Sequence, residues 1–154
     1  FVRTLVANTG SLAGVKEGQA VTGGNGLIGR IVSVGRVSSR LLLLTDFNSH
    51  VPVLIAPNNT RAILSGNNAD NPVLRFLPKN TVIEEGSEVV TSGDGGQVPI
   101  GIPVGLVRVD HDGRPFVDLQ EDLHNLSYVR IISTRDIEQP PSETDVRTLP
   151  DAGR

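Results

Sequence analysis

The chain has 154 residues, a formal net charge of −3, and only 3% aromatic residues, with neither cysteine nor tryptophan. Without cysteine there are no disulfides, thiolate catalysis or cysteine-based metal sites, and the acidic balance leaves no global basic field for nucleic acid or anionic lipid. The core must be aliphatic, and 17 glycines with 10 prolines spread along the chain indicate many short elements joined by tight turns.

In chain order the apolar bursts are Leu5-Val6-Ala7, Leu27-Ile28, Ile31-Val32 with Val34, Leu41 to Leu44, and Val51 to Ile55. Each is bounded within a few residues by Gly, Asn, Ser or Pro, so strands of about 4 to 8 residues are predicted and long helices are not. The runs of turn formers at Asn58-Asn59 and from Ser65 to Pro72 mark the expected junction between two halves. Beyond it, Leu106 to Val109 and Ser127 to Ile131 alternate polar and branched residues, as half-buried strands do. From Thr134 the text turns polar and proline-rich, through Glu138-Gln139-Pro140-Pro141, and a disordered or extended tail is expected. The predicted division is a first β subdomain over 1–68, a second over 69–133 with strands able to exchange between them, and a tail over 134–154. No apolar run reaches the roughly 18 residues that cross a bilayer, and the chain opens on Phe1. We therefore expect an excised fragment, with any membrane anchor upstream.

Laying the chain on itself reveals a repeat. Glu17-Gly18-Gln19-Ala20-Val21 resembles Glu85-Gly86-Ser87-Glu88-Val89, an offset of 68 (85 − 17). Gly29-Arg30-Ile31-Val32 resembles Gly105-Leu106-Val107, an offset of 76 (105 − 29), and Asp46-Phe47-Asn48 resembles Asp122-Leu123-His124 at the same 76 (122 − 46). The change in offset falls at the stretch Gln97 to Pro103, which is read as a longer loop in the second copy. Each half is a small curled sheet that must close into a barrel or pack on its twin, because open edges attract other strands.

Gly24-Asn25-Gly26-Leu27-Ile28-Gly29 matches the dinucleotide fingerprint by letter, but a strand follows where a helix is needed, so the glycines are read as shaping a hairpin. Thr91-Ser92-Gly93-Asp94-Gly95-Gly96 lacks the lysine of a phosphate loop and is read as a turn. A serine hydrolase with His50 as base and Ser92 as nucleophile is the rival enzymatic reading, weakened because Gly93-Asp94-Gly95-Gly96 has no serine after the aspartate. Three scattered histidines make no zinc pattern, and neither metal nor cofactor is expected. A glycan-binding module is a further alternative, poorly served by one Tyr and four Phe. There remain exposed apolar residues in loops. Val98, Ile100 and Ile102, set between Pro99, Gly101 and Pro103, either plug a barrel end or dock on a partner, and they are the first candidate contacts. Phe47 and Leu12 follow them.

These residues also carry a resemblance. Asn8-Thr9-Gly10-Ser11, Gly14 to Val21, Gly26 to Ile31, Leu42 to Asp46, Val90 to Gly93 and Val98 to Gly105 together resemble the MreC family of bacterial rod-shape-determining proteins, over about residues 2–132. The resemblance implies an all-β fold of two small β-barrels with chymotrypsin-like topology and no catalytic site. It implies the periplasmic part of a single-pass inner-membrane protein, a non-enzymatic scaffold of the cell-elongation machinery. The implied partners are a class B penicillin-binding transpeptidase that it binds and activates, MreD, RodA and MreB in the same complex, and further copies of itself in dimers or filaments.

Overall fold

A computed structural model describes residues 3–96 and 98–133, and residues 145–150 as backbone. It contains one 3-10 turn, Ser11–Ala13, and twelve strands: β1 (Thr4–Ala7), β2 (Ala20–Thr22), β3 (Leu27–Val34), β4 (Ser39–Leu43), β5 (His50–Ile55), β6 (Thr60–Ser65), β7 (Val73–Arg75), β8 (Glu88–Thr91), β9 (Pro103–Val109), β10 (Pro115–Leu119), β11 (Tyr128–Ile132) and β12 (Asp145–Pro150). All pairings are antiparallel, and the strands form two six-stranded barrels. In the second, the order β10-β7-β6-β5-β8-β9 closes on itself. In the first, β11-β2-β3-β4-β1 make a curled sheet, and β12 closes it by pairing with β1 and β11.

The repeat extends to the whole strand plan. The first barrel's order, β1-β12-β11-β2-β3-β4, becomes the second's, β7-β6-β5-β8-β9-β10, when each label moves six places along the chain. Each barrel therefore holds four strands of its own half and the last hairpin of the other. The barrels do not divide the chain at residue 68: the second is built from β5 to β10, the first from β1 to β4 with β11 and β12. The register explains why. β5 joins β8 through Val53↔Thr91, Leu54↔Val90 and Ile55↔Val89, while β11 joins β2 through Arg130↔Thr22 and Ile131↔Val21. Val51, Val53 and Ile55 are thereby buried with Val89, Val104, Val107 and Val117 of the second half. The expected tail is corrected within residues 145–150, which are a strand; the rest of that expectation, over 134–144 and 151–154, lies outside the described residues.

Period-two alternation sets the two cores. Leu5, Ala7, Val21, Ile28, Ile31, Leu41 and Val129 fill the first barrel. The second core also takes in Ala20, Leu27 and Leu44 of the first half, so the apolar cluster runs through the joint between the barrels. At two matching strand pairings glycine is required because backbone passes against backbone. A Cβ on Gly29 would lie 2.0 Å from the Leu42 carbonyl oxygen, and one on its repeat partner Gly105 would lie 2.1 Å from that of Asp118.

Alanine at either position must push two paired strands apart. Gly29→Ala and Gly105→Ala should each lower stability by about 1–3 kcal/mol. Gly24→Ala, where a Cβ meets nothing within 4 Å, should change it by no more than about 0.5 kcal/mol. Urea midpoints of the three variants check this, and equal midpoints would contradict it.

Candidate interaction surfaces and the joint between the barrels

The chain crosses from one barrel to the other at two repeat-related aspartates. Asp46 ends the segment after β4 and is fully buried. Its Oδ1 accepts the Asn48 N–H at 2.7 Å, its carbonyl accepts the Ser49 N–H at 2.9 Å, and its Oδ2 accepts the Arg3 N–H. Asp122, at the second crossing, makes the same turn: Oδ1 accepts the His124 N–H at 3.0 Å and the carbonyl accepts the Asn125 N–H at 3.2 Å. These are Asx turns, in which a short carboxylate organises the backbone two residues on. The Asn125 side-chain amide, first, and the His124 N–H hold the Asp122 carboxyl below its ordinary value.

Around these crossings lies a cleft of ≈ 500 Å³, bordered by Arg3, Asp70, Asp118, Glu121, Asp122 and His124. Arg3, Asp70 and His124 engage one another there. The Arg3 guanidinium donates to the Asn68 carbonyl at 2.6 Å and stands 3.5 Å from Asp70, whose Oδ1 is 2.9 Å from His124 Nε2. The hydrogen bond from His124, followed by its charge and that of Arg3, holds the Asp70 carboxyl below the usual aspartate value. Glu121 reaches out of the second crossing into the glycine loop of the first barrel, where Oε1 accepts the N–H groups of Asn25 and, at 2.9 Å, Gly26. A Cβ on Gly23 would lie 2.5 Å from that carboxylate. The dinucleotide-like fingerprint is thus an anion cradle after all, filled by the chain's own carboxylate. No Phe, Tyr or Trp side chain lines this cleft. Among the described residues no three carboxylate or imidazole groups gather to hold a metal ion.

The hydrolase pair is not assembled. His50 Nδ1 is 3.1 Å from Ser65 Oγ, while the Ser92 hydroxyl donates to Asp94 Oδ2 at 2.9 Å. Asp94 is paired with Arg61, and the Ser92 hydroxyl, first, and Arg61 lower its carboxyl's value. Ser92 is a buried turn residue and His50 an exposed strand end.

The candidate contact loop divides by residue. Val98 and Ile102 pack on the second core, and Pro99 is buried with its carbonyl accepting from Thr91 Oγ1 at 2.6 Å. Thr91 also takes the N–H groups of Gly101 and Ile102, so the segment is sealed onto the end of the barrel. Ile100 alone of the three branched residues stands out, 65% exposed. Phe47 and Leu12 are similarly exposed, on separate loops. Sequence reading missed the Glu121 cradle and the Arg3–Asp70–His124 cluster. The three glycines around Asn25 were a visible signal for the first; no local pattern announces the second.

Residues 1–133 match the family model described as rod shape-determining protein MreC, barrel core. The chain is 45% identical over 152 residues to the cell shape-determining protein MreC of Caulobacter vibrioides, covering 97% of this chain and 44% of that protein. It is 41% identical over 138 residues to that of Cereibacter sphaeroides, covering 90% and 46%. The chain thus spans less than half the length of these curated relatives. Among solved structures, MreC of Pseudomonas aeruginosa superposes with a TM-score of 0.76 at 31% identity, over 86% of this chain and 90% of that one. The major periplasmic domain of the cell shape-determining filament MreC gives 0.71 at 25% identity, over 87% and 99%. MreC of Helicobacter pylori, solved in complex with the penicillin-binding protein PBP2, gives 0.58 over 78% and 85%, and at 21% identity shares the fold alone.

The His124–Asp70 pair makes a titration prediction. Because the folded Asp70 value is lowered, its stabilising contribution is present above the ordinary aspartate value and is lost as pH falls through the folded one. His124→Ala should move the Asp70 midpoint upward in a carboxyl-carbon NMR titration; an unmoved midpoint would dismiss the pair.

Proposed function

We propose, from the premise that this chain belongs to the MreC family of rod shape-determining proteins, that it is a periplasmic domain without catalysis that works by contact. In this reading it is a scaffold of the cell-elongation machinery. It binds a class B penicillin-binding transpeptidase and favours the enzyme's active conformation, which requires higher affinity for that state than for the inactive one. MreD, RodA and MreB belong to the same assembly, the whole protein is anchored in the inner membrane, and copies associate into dimers or filaments. The family match across both barrels carries the reading. That His50 and Ser92 hydrogen-bond to Ser65 and Asp94 supports its non-catalytic part, and the relative in complex with PBP2 supports the choice of partner.

The contact residues follow from exposure. Val98 and Ile102 hold the loop to the barrel, and Ile100 is the side chain offered to the transpeptidase, with Phe47 as a second anchor. Leu12 lies away from the joint, beside the turn between β3 and β4.

Ile100→Asp and Phe47→Asp remove exposed apolar surface and leave both cores untouched. The folded variants, checked by circular dichroism, should bind a purified class B transpeptidase about tenfold or more weakly. Unchanged affinity in both would reject this surface.

A further inference from the structure

The repeat fixes how the two barrels point. Gly26, just before β3, is so close to the opening residue of β9 that a Cβ there would lie 2.5 Å from the Pro103 carbonyl oxygen. The N-terminal ends of β3 and β9 therefore meet at the joint. Their other ends, Val34 and Val109, lead into the hairpin turns at the far tip of each barrel.

Each tip is a preformed surface of two loops. At the first, the Ser11 N–H donates to the Gly35 carbonyl at 2.8 Å and the Leu12 N–H to that of Arg36 at 3.1 Å. A Cβ on Gly10 would strike the Gly35 oxygen at 2.2 Å, so the loop lies flat on the hairpin. Gly18 N–H to Ile31 O, 2.8 Å, and Ile31 N–H to Gln19 O, 2.9 Å, tie the loop to β3. The second tip repeats this tie with Gly86 N–H to Val107 O, 2.8 Å, and Val107 N–H to Ser87 O, 2.9 Å.

Built alike, the tips carry opposite charge. Residues 10–18 and 34–40 hold Lys16, Arg36 and Arg40 against Glu17, a net of +2 (3 − 1) on a chain whose total is −3. The repeat-equivalent residues 78–86 and 110–116 hold Glu84, Glu85, Asp110 and Asp112 against Lys79 and Arg114, a net of −2 (2 − 4). All ten are exposed. Lys16, Arg36, Glu84, Glu85 and Asp112 make no ion pair among the described residues. Beside the cations stand Leu12 and Val37, 69% and 70% exposed, and beside the anions Val82, 85% exposed.

We infer that these tips meet between copies: the basic tip of one chain docks on the acidic tip of the next, with Leu12 and Val37 at the centre. The inference rests on the proposed self-association and names its surface. The occupant follows from charge complementarity, since each tip finds its complement on the same chain but at the far end of the other barrel. Such a contact joins two different patches, so it propagates head to tail.

Sedimentation velocity on the whole chain tests it, at concentrations up to about 0.5 mM. The unaltered chain should associate at low ionic strength and come apart in about 0.5 M salt. Lys16→Glu with Arg36→Glu, or Glu84→Lys with Glu85→Lys, should each weaken association about tenfold or more. An equimolar mixture of the two double variants should recover it, because each reversed tip then meets an opposite one. If the unaltered chain associates and neither double variant weakens it, the tips are not the contact and self-association stands. If it stays monomeric at low salt, both readings fail.

Discussion

Everything in this fold depends on the exchange of hairpins between the two halves. β5 and β6 complete the second barrel and β11 and β12 the first, so neither half can close its sheet with its own strands. The exchange places demanding chemistry where the chain crosses. Asp46 is wholly buried, and its carboxylate is satisfied there because two backbone N–H groups, of Arg3 and Asn48, supply what water would have given. The close approach of Gly66, where a Cβ would lie 1.9 Å from the Asp46 carbonyl oxygen, shows how little space the crossing leaves.

Much of this was legible in the text. The offsets of 68 and 76 mapped β2 onto β8 and β3 onto β9 and paired Asp46 with Asp122, but the junction was expected at Asn58-Asn59 and Ser65 to Pro72, whereas the chain crosses at the two aspartates. What could not be read was which sheet each hairpin joins. A strand such as Val51 to Ile55 shows one apolar face whichever barrel receives it, and only the register with β8 decides. The same limit applied to Val98, Ile100 and Ile102. Their spacing made them one group, yet the Thr91 hydroxyl and Pro99 turn the first and last inward and leave the middle one outside.

Glu121 illustrates a different limit. Its partner Gly26 is 95 residues away in sequence, so no local window joins them. A strand follows the glycine loop where a nucleotide site needs a helix, yet the loop's backbone amides still hold an anionic group. Backbone amides in a glycine turn hold negative charge whatever its source. Here the source is the connector between the barrels, so the motif serves the joint.

The two barrels also differ in when they can exist. All strands of the second lie between His50 and Leu119, whereas the first needs Thr4 at one extreme and Pro150 at the other. As the chain emerges from its N-terminus, the second barrel has all its strands first, and the opening strands must wait for the last to be made. A delay of that kind leaves β1 with an unsatisfied edge throughout synthesis. The later-starting barrel is therefore the natural template on which the earlier one is finished.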